Sequence, residues 1–362
     1  MRGNGALKTT ALIMAGGRGE RFWPYSRLHR PKQFLCLMDN SKTMIQNTVE
    51  RIRPLVASED IFVATNSAYF DMVRQQLPDI PEQNILLEPV GRDTAPCIGL
   101  GAVHIRKKYG DAVMMVLPSD HIVHQAALFR DTLVRAASEA VQQDALVTLG
   151  IPPFSPNTAY GYLKYDVNSV RNGVYRVASF KEKPDLETAK RYLLNGNYLW
   201  NSGMFIWRVS EILKQMQELL PENYALLTEI EAAIGTPEQD KVLLNSFTRM
   251  QTISVDFGIM ERAKHVLVIP ASFGWDDVGS WLALERAKAP DARGNVVRGD
   301  VICVNSTHNI ISGSSKLIAM VGVDNMIVVD TDDALLLCDK DHTASIKQVL
   351  DTLRSQKRSD LL

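Results

Sequence analysis

Apolar runs and segments of helical periodicity alternate along the first 150 residues of this chain. Continuous apolar runs at 10–14, 112–117 and 145–149 predict strands, and the apolar spacing at 94–109 and 126–142 predicts helices. Strands that are apolar at every position are buried on both faces, which is typical of a parallel sheet covered by helices. The sequence therefore predicts an α/β fold with a mostly parallel mixed sheet.

The pattern changes towards the end of the chain. From Gly294, short β-branched runs recur every eight to ten residues between Gly, Asn and Asp, and a helix is predicted at 345–354. This spacing favours a small β-rich unit that resembles a β-solenoid. We therefore predict a larger domain at 1–289 and a C-terminal β-rich assembly domain at 290–362.

Charge and cysteine usage exclude several classes of protein. The chain has 40 Lys and Arg against 41 Asp and Glu, so its charge gives no reason to expect nucleic acid or an anionic membrane as partner. No apolar run approaches the ~20 residues of a membrane helix, and the polar start does not resemble a signal peptide. The four cysteines form no C-x-x-C pair. We expect a cytoplasmic protein.

A glycine-rich segment, Gly16-Gly17-Arg18-Gly19-Glu20-Arg21, directly follows the first predicted strand. Glycines let backbone amides approach phosphate oxygens, and arginines add bidentate charge. The segment is not the dinucleotide fingerprint, because Phe22 stands where the third glycine belongs, and it lacks the lysine of a Walker loop. Lys32, which follows Pro31, would suit a second phosphate contact.

Together, G-G-x-G-x-R and P-K-Q-F-L resemble the sugar-1-phosphate nucleotidylyltransferases and, more closely, the mannose-1-phosphate guanylyltransferases that make GDP-mannose. Matching motifs follow in the same order at 88–96, 117–121, 180–184, 200–205 and 275–281. The resemblance implies a Rossmann-like nucleotidyltransferase domain that transfers GMP from GTP to mannose 1-phosphate and releases pyrophosphate. It also implies a homodimer without the isomerase module that larger relatives carry.

The same resemblance assigns a role to each motif. The residues that it makes catalytic are Arg21, Lys32, Asp120 and Asp277. The residues that it places against the nucleotide are Gly16, Gly17, Arg18, Gly19, Glu88, Arg92, Asp93, Thr94 and Ala95. The residues that it places against the sugar phosphate are Tyr160, Gly161, Glu182, Lys183 and Asn201. Asp120 and Asp277 would also bind Mg²⁺ or Mn²⁺ through carboxylate oxygens.

Two positions leave alternatives open. The family pattern has its metal ligand directly before Val-Gly-Ser, which selects Asp277 and leaves Asp276 to support it or to face solvent. Asp93 stands where the family often has asparagine; its carboxylate could accept hydrogen bonds from guanine or cap the following helix. We favour the cap, because aspartate is common at helix N-termini.

Three other functions compete with this interpretation. One is the same chemistry with another nucleoside triphosphate or another sugar 1-phosphate. A second is a glycosyltransferase that uses nucleotide sugars, since Asp330-Thr331-Asp332 is a D-x-D string, although we expect a turn there. A third is a non-catalytic sensor of nucleotide sugars, which is disfavoured because all the charged residues of the motifs are present.

Overall fold

The computed structural model describes residues 7–17, 19–38, 41–313 and 315–362. The chain divides into two compact units. The sheet unit contains the residues up to Gly16, Val49–Ser119 and Val123–Trp275. The solenoid unit contains Gly17–Thr48, Asp120–Ile122 and Asp276–Leu362. The predicted boundary at residue 289 follows the order of the sequence, whereas in the fold Gly17–Thr48 groups with the C-terminal residues.

Three α-helices of the described residues, Thr94–Tyr109, Ala126–Gln143 and Ile346–Ser355, lie where the sequence analysis predicted helices. The α-helices of the described residues are α1 (Met44–Ile52), α2 (Phe70–Gln76), α3 (Thr94–Tyr109), α4 (Ala126–Gln143), α5 (Leu186–Asn195), α6 (Val209–Leu219), α7 (Pro221–Ala233), α8 (Gln239–Arg249), α9 (Ala283–Ala287) and α10 (Ile346–Ser355). None of these described helices has the length and apolar character needed to cross a membrane.

The strands of the described residues include several that the sequence did not predict. They are β1 (Lys8–Met14), β2 (Ile61–Asn66), β3 (Ile85–Glu88), β4 (Ala112–Pro118), β5 (Ile122–Val123), β6 (Leu146–Ile151), β7 (Tyr162–Tyr165), β8 (Tyr175–Lys181), β9 (Tyr198–Arg208), β10 (Val266–Pro270), β11 (Trp275–Asp276), β12 (Val296–Arg298), β13 (Val301–Val304), β14 (Ile310–Ser312), β15 (Ile318–Val321), β16 (Met326–Asp330) and β17 (Leu335–Asp339). The strands without a sequence prediction include β9, β10 and β12.

The sheet unit is built on one nine-stranded mixed sheet in the order β3-β2-β1-β4-β9-β6-β10-β8-β7. The strands from β3 to β4 pair in parallel, as do β6 and β10. The long strand β9 runs antiparallel to both β4 and β6, and β8 runs antiparallel to β10 and β7. The predicted α/β class with a mixed sheet is confirmed, and its parallel half is the part that the apolar runs indicated.

Close packing of α3 on β1 and on α7 explains two glycines inside that helix. A Cβ atom at Gly101 would lie 2.7 Å from a methyl group of Leu12 on β1, and one at Gly99 would lie 2.5 Å from Leu227. Both distances are far below van der Waals contact, so a larger residue at either position would force the buried leucine side chain to move. This packing fixes the start of α3, where the segment 91–95 lies, relative to the end of β1.

The C-terminal strands of the solenoid unit form two parallel stacks. The strands β12, β14 and β16 pair in parallel with partners 14 and 17 residues apart, and β13 pairs with β15 at a spacing of 17. Buried asparagines connect the successive coils: the Asn309 backbone N–H donates to Asn295 Oδ1 at 3.0 Å, and the Met326 N–H donates to Asn309 Oδ1 at 2.9 Å. The predicted solenoid-like unit is confirmed, with β17 added antiparallel to β16.

The segment that follows the glycine-rich motif shares a core with these coils and with α10. Phe22, Trp23 and Trp281 belong to one buried cluster with side chains from β16 and α10. The backbone carbonyl of Leu361 accepts hydrogen bonds from the Trp23 indole at 2.8 Å and from the Arg27 guanidinium at 2.7 Å. The C-terminal residues therefore support the segment that carries Arg21 and Lys32, the residues that the resemblance makes catalytic.

Candidate active site

The predicted site residues fall into two groups, one in each unit. In the solenoid unit, Gly19 has a φ of 61°, and a Cβ atom there would lie 2.4 Å from the Cβ of Lys32. The side-chain amide of Gln33 also donates to the carbonyl of Gly17 at 3.0 Å. The glycine-rich segment therefore packs directly on the P-K-Q-F-L segment, and only glycine fits at position 19. Arg18, which the sequence analysis placed at the nucleotide, lies outside the described residues.

Lys32 joins the two predicted metal ligands. Its buried ammonium donates to Asp120 Oδ2 at 2.8 Å and to the backbone carbonyl of Asp277 at 2.6 Å. Burial raises the pKa of Asp120, but the positive charge of Lys32, with a smaller contribution from His121, outweighs burial and lowers the pKa below its ordinary value. Asp120 is therefore ionised at neutral pH.

The Asp277 carboxylate is placed by an unusual backbone. Val278, the next residue, has a φ of 49°, a left-handed conformation that is costly for a β-branched side chain. A Cβ atom at Gly279 would lie 2.9 Å from Asp277 Oδ2 and 3.4 Å from the Arg21 guanidinium, so both charged groups flank this glycine. The Asp277 carboxylate and the Arg21 guanidinium thus both lie next to Gly279, where a side chain would collide with them.

Asp276 is occupied by internal hydrogen bonds. Its two oxygens accept from the Val278 N–H at 2.7 Å and from the Arg286 guanidinium at 2.6 Å. It is buried, so it does not face solvent as the sequence analysis allowed. Since both of its oxygens hold the loop, Asp276 supports the strained turn that presents Asp277.

The donor set of the solenoid unit fits a hard divalent cation. Asp120 and Asp277 offer carboxylate oxygens, and Mg²⁺ in phosphate-transfer sites uses one or two carboxylates with substrate oxygens and water. Within the described ranges, no cluster of three or more His, Cys, Asp and Glu side chains suits a metal ion. The residues therefore fit a cation that is shared with a phosphate substrate better than one held by protein ligands alone.

In the sheet unit, Glu88 lies at the end of β3 beside the first glycine of the motif. A Cβ atom at Gly16 would lie 3.0 Å from Glu88 Oε2, so the carboxyl group packs on bare backbone. Burial raises the pKa of Glu88 to about 7, although a hydrogen bond with the Cys97 thiol lowers it. A carboxyl group that titrates near neutral pH beside a glycine backbone is typical of a ligand site.

The segment after Glu88 is held by a distant loop. The Arg92 guanidinium donates to Thr252 Oγ1 at 3.1 Å and to the Thr248 carbonyl, and its buried Nε has no partner among the described residues. Thr94 Oγ1 accepts from the Val255 N–H at 2.8 Å, and the Ala95 N–H donates to the carbonyl of residue 253. Arg92, Thr94 and Ala95 are therefore tied to residues 248–255.

Asp93 caps α3, as the sequence analysis favoured. Its Oδ1 accepts from the Thr94 N–H at 2.7 Å, while its backbone has a φ of 67° and a ψ of −175°. This backbone region is almost restricted to glycine, so the surrounding hydrogen bonds must offset the strain. Strain of this kind is concentrated at ligand sites.

The residues predicted at the sugar phosphate come together in the sheet unit. A Cβ atom at Gly161 would lie 2.3 Å from Glu182 Oε2, and the Gly161 carbonyl accepts from the Asn201 N–H at 2.8 Å. The exposed Lys183 ammonium is 3.1 Å from Glu182, and Lys183 has a φ of 43°. The bare backbone of Gly161 and the strained backbone of Lys183 thus bring the Glu182 carboxylate, the Lys183 ammonium and Asn201 together.

Tyr160 is also present in this group, but its ring packs against other rings. Its centroid lies 5.0 Å from that of Trp200 and 5.3 Å from that of Trp275, both in edge contacts. Such contacts stabilise a turn. The Tyr160 ring is therefore part of an aromatic cluster next to Gly161 in the chain.

Comparisons with known proteins show the family of the chain. The family model described as nucleotidyl transferase matches residues 10–294, and the model described as MannoseP isomerase/GMP-like beta-helix domain matches residues 299–353. A mannose-1-phosphate guanylyltransferase of Salmonella montevideo is 37% identical over 97% of this chain and 75% of its own length. The chain belongs to the mannose-1-phosphate guanylyltransferase family.

Further relatives extend the comparison. The xanthan biosynthesis protein XanB of Xanthomonas campestris pv. campestris is 39% identical over 96% of this chain and 74% of its own length. A solved structure from Thermus thermophilus, described as a mannose-1-phosphate geranyltransferase, is 34% identical and has a TM-score of 0.88. It covers 96% of this chain and 100% of the other chain. Members of the guanylyltransferase family thus share both units of this chain.

One polar residue of this guanylyltransferase-family chain was missed by the sequence analysis. Asp256 Oδ1 accepts a hydrogen bond from Asn201 Nδ2 at 2.8 Å, and burial raises the pKa of Asp256 to about 7. It is the first residue of a π-helical turn, Asp256–Met260, and such turns are frequent at functional sites. No sequence signal singled it out, because it is a lone acid 55 residues from its partner.

The D-x-D string has the structure that the sequence analysis expected. It lies at the connection between β16 and β17, where the Thr331 N–H donates to the Ala334 carbonyl at 2.9 Å. Asp330 is buried and lies 3.6 Å from the Lys316 ammonium. This acid pair is therefore a structural turn of the solenoid.

Proposed function

We propose that the protein transfers GMP from GTP to α-D-mannose 1-phosphate and releases pyrophosphate, giving GDP-mannose. The observation that carries the proposal is the identity of 37% over 97% of the chain with a relative named for this activity. The arrangement of Lys32 between Asp120 and Asp277 supports the proposal, because phosphate chemistry needs charge of both signs at one place.

The proposed reaction is a single displacement. An oxygen of the sugar phosphate forms a bond to the α-phosphorus of GTP, and the bond from that phosphorus to the bridging oxygen of pyrophosphate breaks. No protein nucleophile takes part, so the residues act by positioning the two anions and by neutralising charge. Arg21 and Lys32 would offset the negative charge that grows on the leaving pyrophosphate.

Asp120 and Asp277 would hold Mg²⁺ or Mn²⁺. When bound there, such an ion would neutralise the negative charge that grows on the phosphates in the transition state. Lys32 keeps Asp120 ionised, as a metal ligand must be, and the strained turn after Asp277 presents the second carboxylate. The donor set favours an ion that binds together with the nucleotide.

Glu88 is the residue that we assign to guanine. When ionised, its carboxylate can accept hydrogen bonds from the N1–H and N2–H groups of the base, a pattern that adenine does not offer. Glu88 packs against Gly16, which has no side chain. A flat base could therefore lie against bare backbone beside the carboxyl group. Asp93 would serve chiefly as a cap, and Arg92, Thr94 and Ala95 would hold this segment in place through residues 248–255.

Glu182, Lys183 and Asn201 are assigned to the sugar phosphate. Lys183 would neutralise the phosphate, since its ammonium is exposed and held at Glu182. Glu182 would accept from a sugar hydroxyl and Asn201 would donate to one. Gly161 lets both side chains approach its backbone.

Pyrophosphate release with a panel of nucleoside triphosphates and sugar 1-phosphates tests this function. We expect the pair of GTP and mannose 1-phosphate to give the highest kcat/KM, with GDP-mannose as the product and with a requirement for divalent metal. A higher kcat/KM with another pair would reassign the substrate. Absence of pyrophosphate release with every pair would refute the transferase function.

The proposal includes a homodimer in the cytoplasm. Aliphatic side chains are exposed on the solenoid, among them Ile302 at 51%, Val321 at 68% and Leu337 at 62%, and a second copy would bury them. The cysteines are free thiols, in keeping with a reducing compartment. Val321→Glu should shift the protein to monomer in sedimentation, whereas Val170→Glu, at an exposed position of the sheet unit, should not. A dimer that survives Val321→Glu would remove this surface from the interface.

A further inference from the structure

Asp256 controls the orientation of an amide that the proposed function assigns to the sugar. The oxygen of the Asn201 side chain accepts from the Gly203 N–H at 3.3 Å. It also lies 3.2 Å from Thr148 Oγ1, whose single proton is shared with the Met204 carbonyl at 3.1 Å. The nitrogen of the Asn201 side chain donates to Asp256 Oδ1 at 2.8 Å. A flipped amide would turn an oxygen towards the Asp256 carboxylate, so the observed orientation is the stable one.

This arrangement leaves one polar group of the amide for a ligand. The Asn201 oxygen faces the Gly203 N–H and the Thr148 hydroxyl, and one of the two N–H groups of the amide donates to Asp256. Within the described part of the chain, the second N–H is the group that remains to donate. Asn201 can therefore present a single donor to a sugar, and Asp256 determines where it points.

Glu182 is the acceptor next to this donor. Its carboxylate packs on Gly161, and its backbone N–H donates to Glu261 Oε1 at 3.1 Å, which fixes the start of the loop. The Gly161 carbonyl accepts from the backbone N–H of Asn201, so donor and acceptor are mounted on paired backbone. One carboxylate and one amide N–H side by side match two neighbouring hydroxyl groups of a sugar.

We propose that Asp256 is a positioning residue for the sugar phosphate, which fixes the Asn201 donor and sets the charge beside the Glu182 acceptor. The inference rests on the proposed function for the identity of the substrate. Its structural basis is the hydrogen bond to Asn201 and the π-helical turn that aims the carboxylate.

A pH effect follows from the groups that face Asp256. Burial raises the pKa of Asp256 to about 7, and the negative charges of Glu182 and Asp93 also raise it, whereas the hydrogen bond from Asn201 lowers it. Below pH 7 the protonated carboxyl group still accepts from Asn201 and does not repel Glu182 or a phosphate. Above pH 7 the added charge should weaken binding of the anionic sugar phosphate, so its KM should rise.

Two variants and one control test this proposal. Asp256→Ala removes the acceptor, and we expect about a tenfold higher KM for the sugar phosphate with a KM for GTP within twofold. Asp256→Asn keeps an acceptor but cannot ionise. Its KM for the sugar phosphate should change less than threefold at pH 7 and should no longer rise between pH 6.5 and 8.5. Asp240→Asn, at an exposed position on α8, is the matched control.

The outcomes separate this inference from the proposed function. The wild-type panel first identifies the best sugar phosphate, and the variants are assayed with that compound. A wild type without transfer refutes the function. An active wild type whose Asp256 variants behave like Asp240→Asn, or raise both KM values equally, overturns the role of Asp256. The role of Asp256 is also overturned if the KM of Asp256→Asn still rises with pH while its thermal transition shows that the protein is folded.

Discussion

Replacing Leu350 by alanine should slow the transfer step, although Leu350 belongs to none of the matched motifs. Its side chain is 4% exposed and belongs to the buried cluster that contains Phe22, Trp23 and Trp281. It also lines a small cavity together with Arg21. The surface pair of Arg354 with Glu20, at 2.8 Å, adds a second contact between α10 and the glycine-rich segment.

The size of the effect can be worked from these contacts. Leucine-to-alanine changes in a core cost about 2–5 kcal/mol, and we expect ~3 kcal/mol because α10 is buried on one side only. A displacement of ~1 Å at a reacting group can cost about 100-fold in rate. The hydrogen bonds from Trp23 and Arg27 to residue 361 still hold the segment. We therefore expect about a tenfold lower kcat with KM values nearly unchanged.

Val349→Ala is the matched control, because Val349 is the neighbouring aliphatic residue on α10 and is 39% exposed. Pyrophosphate release at 25 °C gives kcat, and the thermal transition shows that both proteins are folded at the assay temperature. If Leu350→Ala lowers the melting temperature but its kcat is within twofold of that of Val349→Ala, then α10 does not position the catalytic segment. The C-terminal residues would then act only in architecture and assembly, as the sequence analysis expected.

Three further predictions concern single residues. Asp277→Asn should lose about 100-fold or more of kcat at saturating Mg²⁺ while folding normally, since an amide keeps the shape but not the charge; activity close to wild type would remove Asp277 from the metal site. Lys183→Ala should raise the KM for the sugar phosphate more than that for GTP, and equal changes in steady-state assays would contradict its role. Glu88 has a folded-state pKa of about 7, above its ordinary value of 4.5, so its contribution to stability is lost as pH rises between those values. Glu88→Gln should therefore melt at a higher temperature than wild type at pH 8 but not at pH 4, and it should bind GTP more weakly at pH 8.

The sequence predicted the parallel half of the sheet and the ligand motifs, because both rest on local signals. A continuous apolar strand and a glycine string can be identified without knowledge of their neighbours. The long strand β9 was missed because Asn201, Ser202 and Gly203 interrupt its apolar pattern. The helix α8 was missed because, among its described residues, only Ser246 and Phe247 are buried, which leaves almost no apolar periodicity.

Other features could not be predicted because they depend on pairs far apart in the chain. Asp256 acquires its role from Asn201, and Lys32 acquires its role from Asp120 and Asp277, at separations of 55, 88 and 245 residues. The grouping of Gly17–Thr48 with the C-terminal coils likewise depends on long-range packing of aromatic side chains. Sequence motifs predicted the individual site residues, whereas the contacts among these residues could be found only in the fold.

The positive φ angles at Lys183, Val278 and Asp93 have a consequence for protein engineering. A left-handed conformation costs a non-glycine residue roughly 1–2 kcal/mol, so glycine at these positions is an obvious choice for a thermostability library. Each of these residues adjoins or belongs to a predicted ligand motif, where a flexible backbone would let the charged groups drift. Val278 is fully buried in the core, so glycine there would cost more stability than the backbone strain it relieves. At the exposed Lys183, selection for heat resistance alone should enrich Lys183→Gly while turnover falls, and such a library should be screened for activity at the same time.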